Sequence, residues 1–202
     1  ALSVEDVVGL VIGTRPDCVD EEKLDYLAGL NKNHFVIVEY GIESANDDTL
    51  RRINRGHTFE TCKKAIKQTK ERGIITGGHI IIGLPGEDQK ESLRQAPIIS
   101  ECGLDILKIH QMQIIKGTRL AREYMEKPFH LYSVDEYIQL ISEYIQYLNK
   151  DLILERFVSQ SPKELLIAPK WDIKNYVFTN RLIKEMISSG SYQGKLAHKQ
   201  TM

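Results

Sequence analysis

The chain has 202 residues, enough for one domain with a sizeable core, and its 27 Lys+Arg against 28 Asp+Glu leave a net charge of −1. That balance selects neither a nucleic acid nor a membrane surface as partner, no apolar run approaches the roughly 18 residues of a membrane span, and no signal-peptide pattern is visible at the start. Cys18, Cys62 and Cys102 are odd in number and lie about forty residues apart, a spacing that builds neither a disulfide framework nor a local metal knuckle and fits a reducing, cytoplasmic setting.

Val7 to Thr14 reads as a buried strand, stopped where Pro16 interrupts Thr14-Arg15-Pro16-Asp17. Glu21 to Leu30 follows as an amphipathic helix. Phe35 to Glu43 is a second apolar, β-branched strand, and Ser44-Ala45-Asn46-Asp47-Asp48 then supplies cap residues and acidic groups suited to a helix start. Thr58 caps the next helix, whose inward positions are Phe59, Cys62, Ala65, Ile66 and Thr69; its lysines form a solvated face. Gly73 ends it, and Ile74 to Gly83 is a third strand, apolar except for His79. After Leu84-Pro85-Gly86-Glu87-Asp88 a helix runs from Gln89 towards Glu101, with a kink or early stop expected at Pro97. Ile106 to Ile114 is a fourth strand, and a helix follows near Arg119 to Glu126. Ser133-Val134-Asp135-Glu136 is a capping box opening a helix to Asn149. Leu152 to Val158 is a candidate fifth strand, Asn175 to Ser188 a last helix, and the tail after it is expected to be loose.

Strands alternating with helices at roughly thirty-residue intervals indicate a parallel sheet. No Gly-x-Gly-x-x-Gly follows any strand, which disfavours a dinucleotide-binding sheet. A complete eight-unit barrel needs about 250 residues, and four clear βα units are present. The expected fold is therefore α/β, a partial TIM-type (β/α) barrel of parallel strands that is incomplete in this chain. The expected division is a barrel portion over 1–130, a C-terminal helical or βα extension over 131–190 and a flexible tail over 191–202.

Sorting strand residues by parity gives a candidate chamber. Val8/Leu10/Ile12, Val36/Val38/Tyr40, Ile80/Ile82 and Leu107/Ile109 suit packing under outer helices. The opposite faces carry glycine and polar groups: Gly9 and Arg15, Glu39 and Glu43, Gly77, His79 and Gly83, Lys108 and His110. In a barrel these would point inward, with those near the C-terminal strand ends at the usual active-site rim. Glu39 and Lys108 have a plain alternative, mutual neutralisation in the interior, and a lone histidine is more often a hydrogen-bonded core residue than a ligand. Their coincidence on one face of several strands favours a ligand chamber. Glu39 and Glu43 would lie roughly 13 Å apart on an extended strand at about 3.3 Å per residue, too far for a glycosidase pair unless the chain turns at Gly41. Gly83-Leu84-Pro85-Gly86-Glu87 lacks the Lys-Ser/Thr of a P-loop, and zinc-ligand spacings are missing.

Gly13-Thr14-Arg15-Pro16-Asp17, Glu39-Tyr40-Gly41-Ile42-Glu43-Ser44-Ala45-Asn46-Asp47-Asp48-Thr49-Leu50, Asn54-Arg55-Gly56-His57 and His79-Ile80-Ile81-Ile82-Gly83-Leu84-Pro85-Gly86-Glu87 resemble, in order, the motifs of radical SAM enzymes. The resemblance is to the branch with HemN-like and elongator-type proteins, above all its YhcC-like group, and covers nearly the whole chain; Lys116-Gly117-Thr118 and Ala168-Pro169-Lys170-Trp171 fit it too. It implies an Fe–S oxidoreductase-type enzyme with a partial (β/α)6 barrel. In that family a Cys-x-x-x-Cys-x-x-Cys motif holds a [4Fe–4S] cluster, whose open iron binds S-adenosylmethionine (SAM). Reductive cleavage of SAM to methionine and a 5′-deoxyadenosyl radical then starts hydrogen abstraction from a substrate.

By position the resemblance makes Glu43 and Arg55 SAM contacts, His79 a polar SAM contact, and Thr14 or Arg15 neighbours of the same ligand. Glu39, Lys108 and His110 are left to the substrate chamber. Where Glu43 stands the family more often has Gln, and the cluster cysteines and the Gly-rich SAM motif are absent from this sequence. The expectation is a fragment beginning at the family's third strand. It would be inactive alone, bind neither SAM nor a cluster tightly, have no metal ligands of its own and self-associate through an exposed sheet edge. The rival readings are a non-catalytic binding module and a barrel hydrolase using Glu39 or Glu43.

Overall fold

A computed structural model describes residues 1–197. Its main sheet has five strands in the order β1 (Gly9–Thr14), β2 (Phe35–Glu43), β3 (Ile75–Ile82), β4 (Ile106–Gln111) and β6 (Ile153–Arg156). The pairs β1/β2 and β2/β3 are parallel. Between them lie α1 (Glu21–Asn31), α2 (Asp47–Arg52), α3 (Phe59–Glu71) and α4 (Gln89–Ser100). Two short strands, β5 (Ile114–Ile115) and β7 (Leu166–Ala168), pair antiparallel. The remaining helices are α5 (Arg119–Glu126), α6 (Val134–Gln146) and α7 (Asn175–Ser188). This is the α/β partial barrel expected, with β1 and β6 as the outer strands of an open order.

The chain divides into two compact units that do not follow a single sequence cut. Among the described residues, the first comprises 1–80, 98–108 and 151–155, and the second 81–97, 109–150 and 156–197. In the first, Val36, Val38, Tyr40 and Ile42 of β2 are fully buried, as are Leu24 of α1 and Cys62 and Ile66 of α3. Burying each large aliphatic side chain is worth about 1.5–3 kcal/mol, so this face fixes the register. The Tyr40 hydroxyl reaches the buried Thr69 Oγ1 at 2.7 Å, satisfying two polar groups that would otherwise be costly under a helix. Asp105 joins three elements: its carboxylate accepts from Thr76 N and Lys70 Nζ, and its carbonyl accepts from Ile153 N.

The second unit is built on α6. Its start is a full capping box, Ser133 accepting from Glu136 N while Glu136 accepts from Ser133 N. Tyr137 is fully buried, donates to Phe157 O and packs against Trp171 and Phe178, with ring centroids at 5.1 and 5.5 Å. Residues 191–197, where a loose tail was expected, hydrogen-bond back to this helix end through Gly194 N to Ile145 O and Leu196 N to Gln146 O. The rest of that expected tail, 198–202, lies outside the described residues.

Three local expectations are corrected. Of the kink or early stop expected at Pro97, the early stop does not occur, since α4 runs on to Ser100. The single strand expected from Ile106 to Ile114 is two, because the backbone leaves the main sheet after Gln111 and Ile114 pairs with Ala168 of β7, a strand whose three residues gave no alternation to read. Val8 was assigned to the packing face, yet it is 79% exposed and precedes the outer strand β1.

Candidate functional site

The site in the first unit starts from a break in strand regularity. On β2 the pairing with β3 shifts between Gly41 and Glu43: Gly41 faces His79, and Glu43 already faces Ile80. Such a bulge admits one extra residue and re-aims the side chains after it. Glu43 takes a left-handed backbone, φ +66°, a conformation disfavoured for non-glycine residues and concentrated at functional positions. Its side chain is 18% exposed and meets Arg55 Nη2 at 3.0 Å. Arg55 Nη2 also donates to Gly41 O at 3.0 Å.

Gly41 makes this possible, since a Cβ there would lie 2.2 Å from Arg55 Nη2 and 2.7 Å from Glu43 Oε1. Burial pushes the Glu43 carboxyl above its ordinary range, against the pull of Arg55 and His79. Arg55 arrives from the turn after α2, which Asn46 caps by accepting from Asp48 N and Thr49 N. Arg15, held by Asp17 through a 2.9 Å bond from Nε, places its guanidinium 3.7–3.9 Å from where a Cβ on Gly56 would sit. Thr14 ends β1 opposite Tyr40. Glu43 and Arg55 thus meet over Gly41, while Arg15 lies beside Gly56, the residue that follows Arg55.

A second cluster lies on the same strands. Glu39, 7% exposed at its side chain, accepts from Lys108 Nζ at 2.7 and 2.8 Å and pairs with His79 Nε2 at 2.9 Å. Burial alone would raise the Glu39 carboxyl, but the bonds from Lys108 and His79 outweigh it and hold it below the ordinary range. Lys108 has a second carboxylate, Glu155 Oε1, at 3.2 Å. Gly77 provides the room, because a Cβ there would come within 2.9 Å of Glu39 Cγ. Sequence reading grouped Glu39, His79 and Lys108 correctly by parity. His110 follows Lys108 on β4 at the same parity and is half-buried in the second unit.

The sequence reading did not single out Asp17, Glu155 or His57. Glu155 sits on a four-residue strand too short to show alternation. His57 Nδ1 lies 3.5 Å from the buried Cys62 Sγ, and burial lowers the His57 pKa.

Two family models match the chain: "Radical SAM superfamily" over residues 2–94 and "Radical_SAM C-terminal domain" over 104–188. The chain belongs to the radical SAM superfamily. Among its curated relatives, the uncharacterized protein YtqA of Bacillus subtilis is 34% identical over 194 residues, 96% of this chain and 60% of that protein. Protein YhcC of Escherichia coli is 34% identical over 172 residues, 85% of this chain and 56% of that protein. A tRNA uridine(34) acetyltransferase of Methanocaldococcus infernus is 30% identical over 138 residues, 67% of this chain and 25% of that protein. The solved structure of the archaeal Methanocaldococcus infernus Elp3 with an N-terminal deletion superposes with TM-score 0.80 at 24% identity, covering 96% of this chain and 47% of that one. The chain thus spans about 60% of the length of the first two relatives.

The residues present can be tested against the two groups this family uses. For SAM they fit in part: Arg55 Nε is buried and has no hydrogen-bond partner among the described residues, a donor left for an acceptor-rich ligand. For the cluster they do not fit. Among the described residues no group of three His, Cys, Asp or Glu could hold a metal. Burial pushes the Cys62 thiol up to about 12 and the Cys102 thiol up to about 11, so neither is the thiolate a cluster needs.

Proposed function

We propose that this chain is the part of a radical SAM enzyme that holds the SAM side of the barrel rim and part of the substrate chamber, with the cluster cysteines supplied from outside these 202 residues. SAM and a [4Fe–4S] cluster are the cofactors of that enzyme, and the chemistry they supply is hydrogen abstraction by a 5′-deoxyadenosyl radical. The observation that carries the reading is the bulged β2 end: Glu43 and Arg55 pair over Gly41, with the buried Arg55 Nε left to donate.

In this reading Arg55 and Arg15 orient acceptor groups of SAM, and Glu43 fixes Arg55. Glu43 is raised by burial towards the neutral form that a glutamine would mimic. The clamp of Lys108 and His79 on Glu39 gives the chamber a fixed polar wall, which orients a substrate and limits side reactions of a radical. The same clamp disfavours Glu39 as a hydrolytic nucleophile or acid, since its oxygens are occupied by Lys108 and His79. The likeness to the Methanocaldococcus infernus tRNA uridine(34) acetyltransferase makes a tRNA uridine the first substrate to assay, although the balanced charge of this chain gives no signal for RNA.

The chain alone, reconstituted anaerobically with iron and sulfide, is expected to develop no broad visible absorption of a [4Fe–4S] centre. Joined to the cysteine-bearing portion of a relative such as YtqA, it is expected to form 5′-deoxyadenosine from SAM on reduction, and Arg55→Ala is expected to abolish that product. A cluster in the chain alone, or undiminished product from a folded Arg55→Ala chimera, contradicts the proposal.

A further inference from the structure

The second unit contains a cleft of about 710 Å³ that the radical SAM reading does not use. Its size is that of sites which take small molecules. The floor is a polar ladder between the end of β4 and residues 159–161. Buried Gln111 donates from Nε2 to Ser159 O at 2.9 Å and accepts from Ser159 N at 2.7 Å. Gln113 donates to Ser159 O at 3.2 Å and accepts from the Ser161 hydroxyl at 2.7 Å.

Each carboxamide oxygen accepts one bond, and each NH₂, having two hydrogens, keeps one beyond the bond it makes. Two exposed lysines add to this supply of donors. Lys163 is neutralised by Asp172 at 2.7 Å, but Lys170 and Lys174 have no carboxylate partner among the described residues. Three lysines against the single carboxylate of Asp172 give this wall an excess of positive charge, which selects a negatively charged ligand.

The other wall is aromatic. Trp171 lines the cleft, with its indole N–H fixed by donation to Tyr132 O at 3.0 Å and its ring backed by Tyr137 and by Phe178, to which it is parallel within 2°. A rigid indole beside cationic groups favours a flat ring over a flexible chain.

We propose that this cleft binds a small planar organic anion, its ring against Trp171 and its carboxylate or phosphate met by Lys170 and Lys174. This site rests on the second unit alone and requires neither iron nor SAM, so its test is separate from that of the radical reaction. Trp171 is the single tryptophan of the sequence, so one indole N–H resonance reports on the cleft. Benzoate or phenyl phosphate titrated into the 15N-labelled chain is expected to shift that resonance saturably, the tighter of the two naming the preferred head group. Neutral benzamide and non-planar cyclohexanecarboxylate are expected to bind at least tenfold more weakly. Lys170→Gln/Lys174→Gln, two exposed changes, is expected to weaken the anion at least tenfold with the dispersion of the spectrum unchanged. No saturable shift with either anion, equal binding of benzamide or cyclohexanecarboxylate, or an unchanged dissociation constant in the double variant overturns the proposal.

Discussion

Glu39→Gln is the sharpest perturbation of the interior clamp. It removes the negative partner of Lys108, whose side chain is only 11% exposed, and leaves a buried ammonium beside a neutral amide. Breaking a buried ion pair from one side costs about 3–5 kcal/mol. Two features of this site reduce that: the glutamine oxygen still accepts one bond, and Glu155 at 3.2 Å still neutralises Lys108 in part. The expected loss is about 2–3 kcal/mol, a fall in melting temperature of roughly 5–10 °C for a chain of this size.

Urea unfolding of the chain measures it. The pH dependence has a fixed sign: the folded Glu39 carboxyl lies below its unfolded value of 4.5, so its contribution is present above that value and is lost as pH falls through the folded pKa. The deficit of Glu39→Gln should therefore shrink in acid. In Glu39→Gln/Lys108→Met the orphaned charge is gone, and stability should return to within about 1 kcal/mol of the parent. A single variant as stable as the parent, or a double variant as weak as the sum of its parts, would refute the reasoning.

Three further outcomes follow from the same geometry. Glu43 is the opposite case: its folded pKa is raised, so its carboxyl favours the fold least once pH has climbed from about 4.5 through the folded value. Glu43→Gln is expected to stabilise the chain at neutral pH and to be neutral in acid, as urea melts at the two pH values would show. Gly41→Ala, whose Cβ would displace both Arg55 Nη2 and Glu43 Oε1, is expected to cost about 1–3 kcal/mol by overpacking, read by the same melts. In thiol titration Cys18 is exposed and should react at once. Cys62, buried and pushed up to about 12, should react only on unfolding, and Cys102, half-buried and pushed up to about 11, more slowly than Cys18. Three fast thiols would contradict the buried placement.

The β2–β4 interior was legible in the sequence because strand parity is strict: Glu39, His79 and Lys108 alternate with fully buried Val38, Tyr40, Leu107 and Ile109. The helix ends were legible where a side chain states them, as at Thr58 and Ser133. What parity could not give was the bulge between Gly41 and Glu43, because inserting one residue leaves no trace in composition. The glycine was the one signal, and it offered an early turn rather than a cradle for Arg55. Pro97 does not stop α4, because a ring within a helix disrupts one turn without always ending the helix; α4 continues through it to Ser100. The cleft of the second unit drew residues from three separated segments, and only the fold assembles them.

The central claim is that Arg55, fixed by Glu43 over Gly41, holds SAM for a cluster carried elsewhere. The direct measurement is SAM binding, by equilibrium dialysis, to the cluster-loaded protein in which this segment follows the family's cysteine motif. Arg55→Ala is expected to weaken SAM at least tenfold while the cluster's visible spectrum stays unchanged. Unaltered SAM affinity with Arg55 removed would contradict the account.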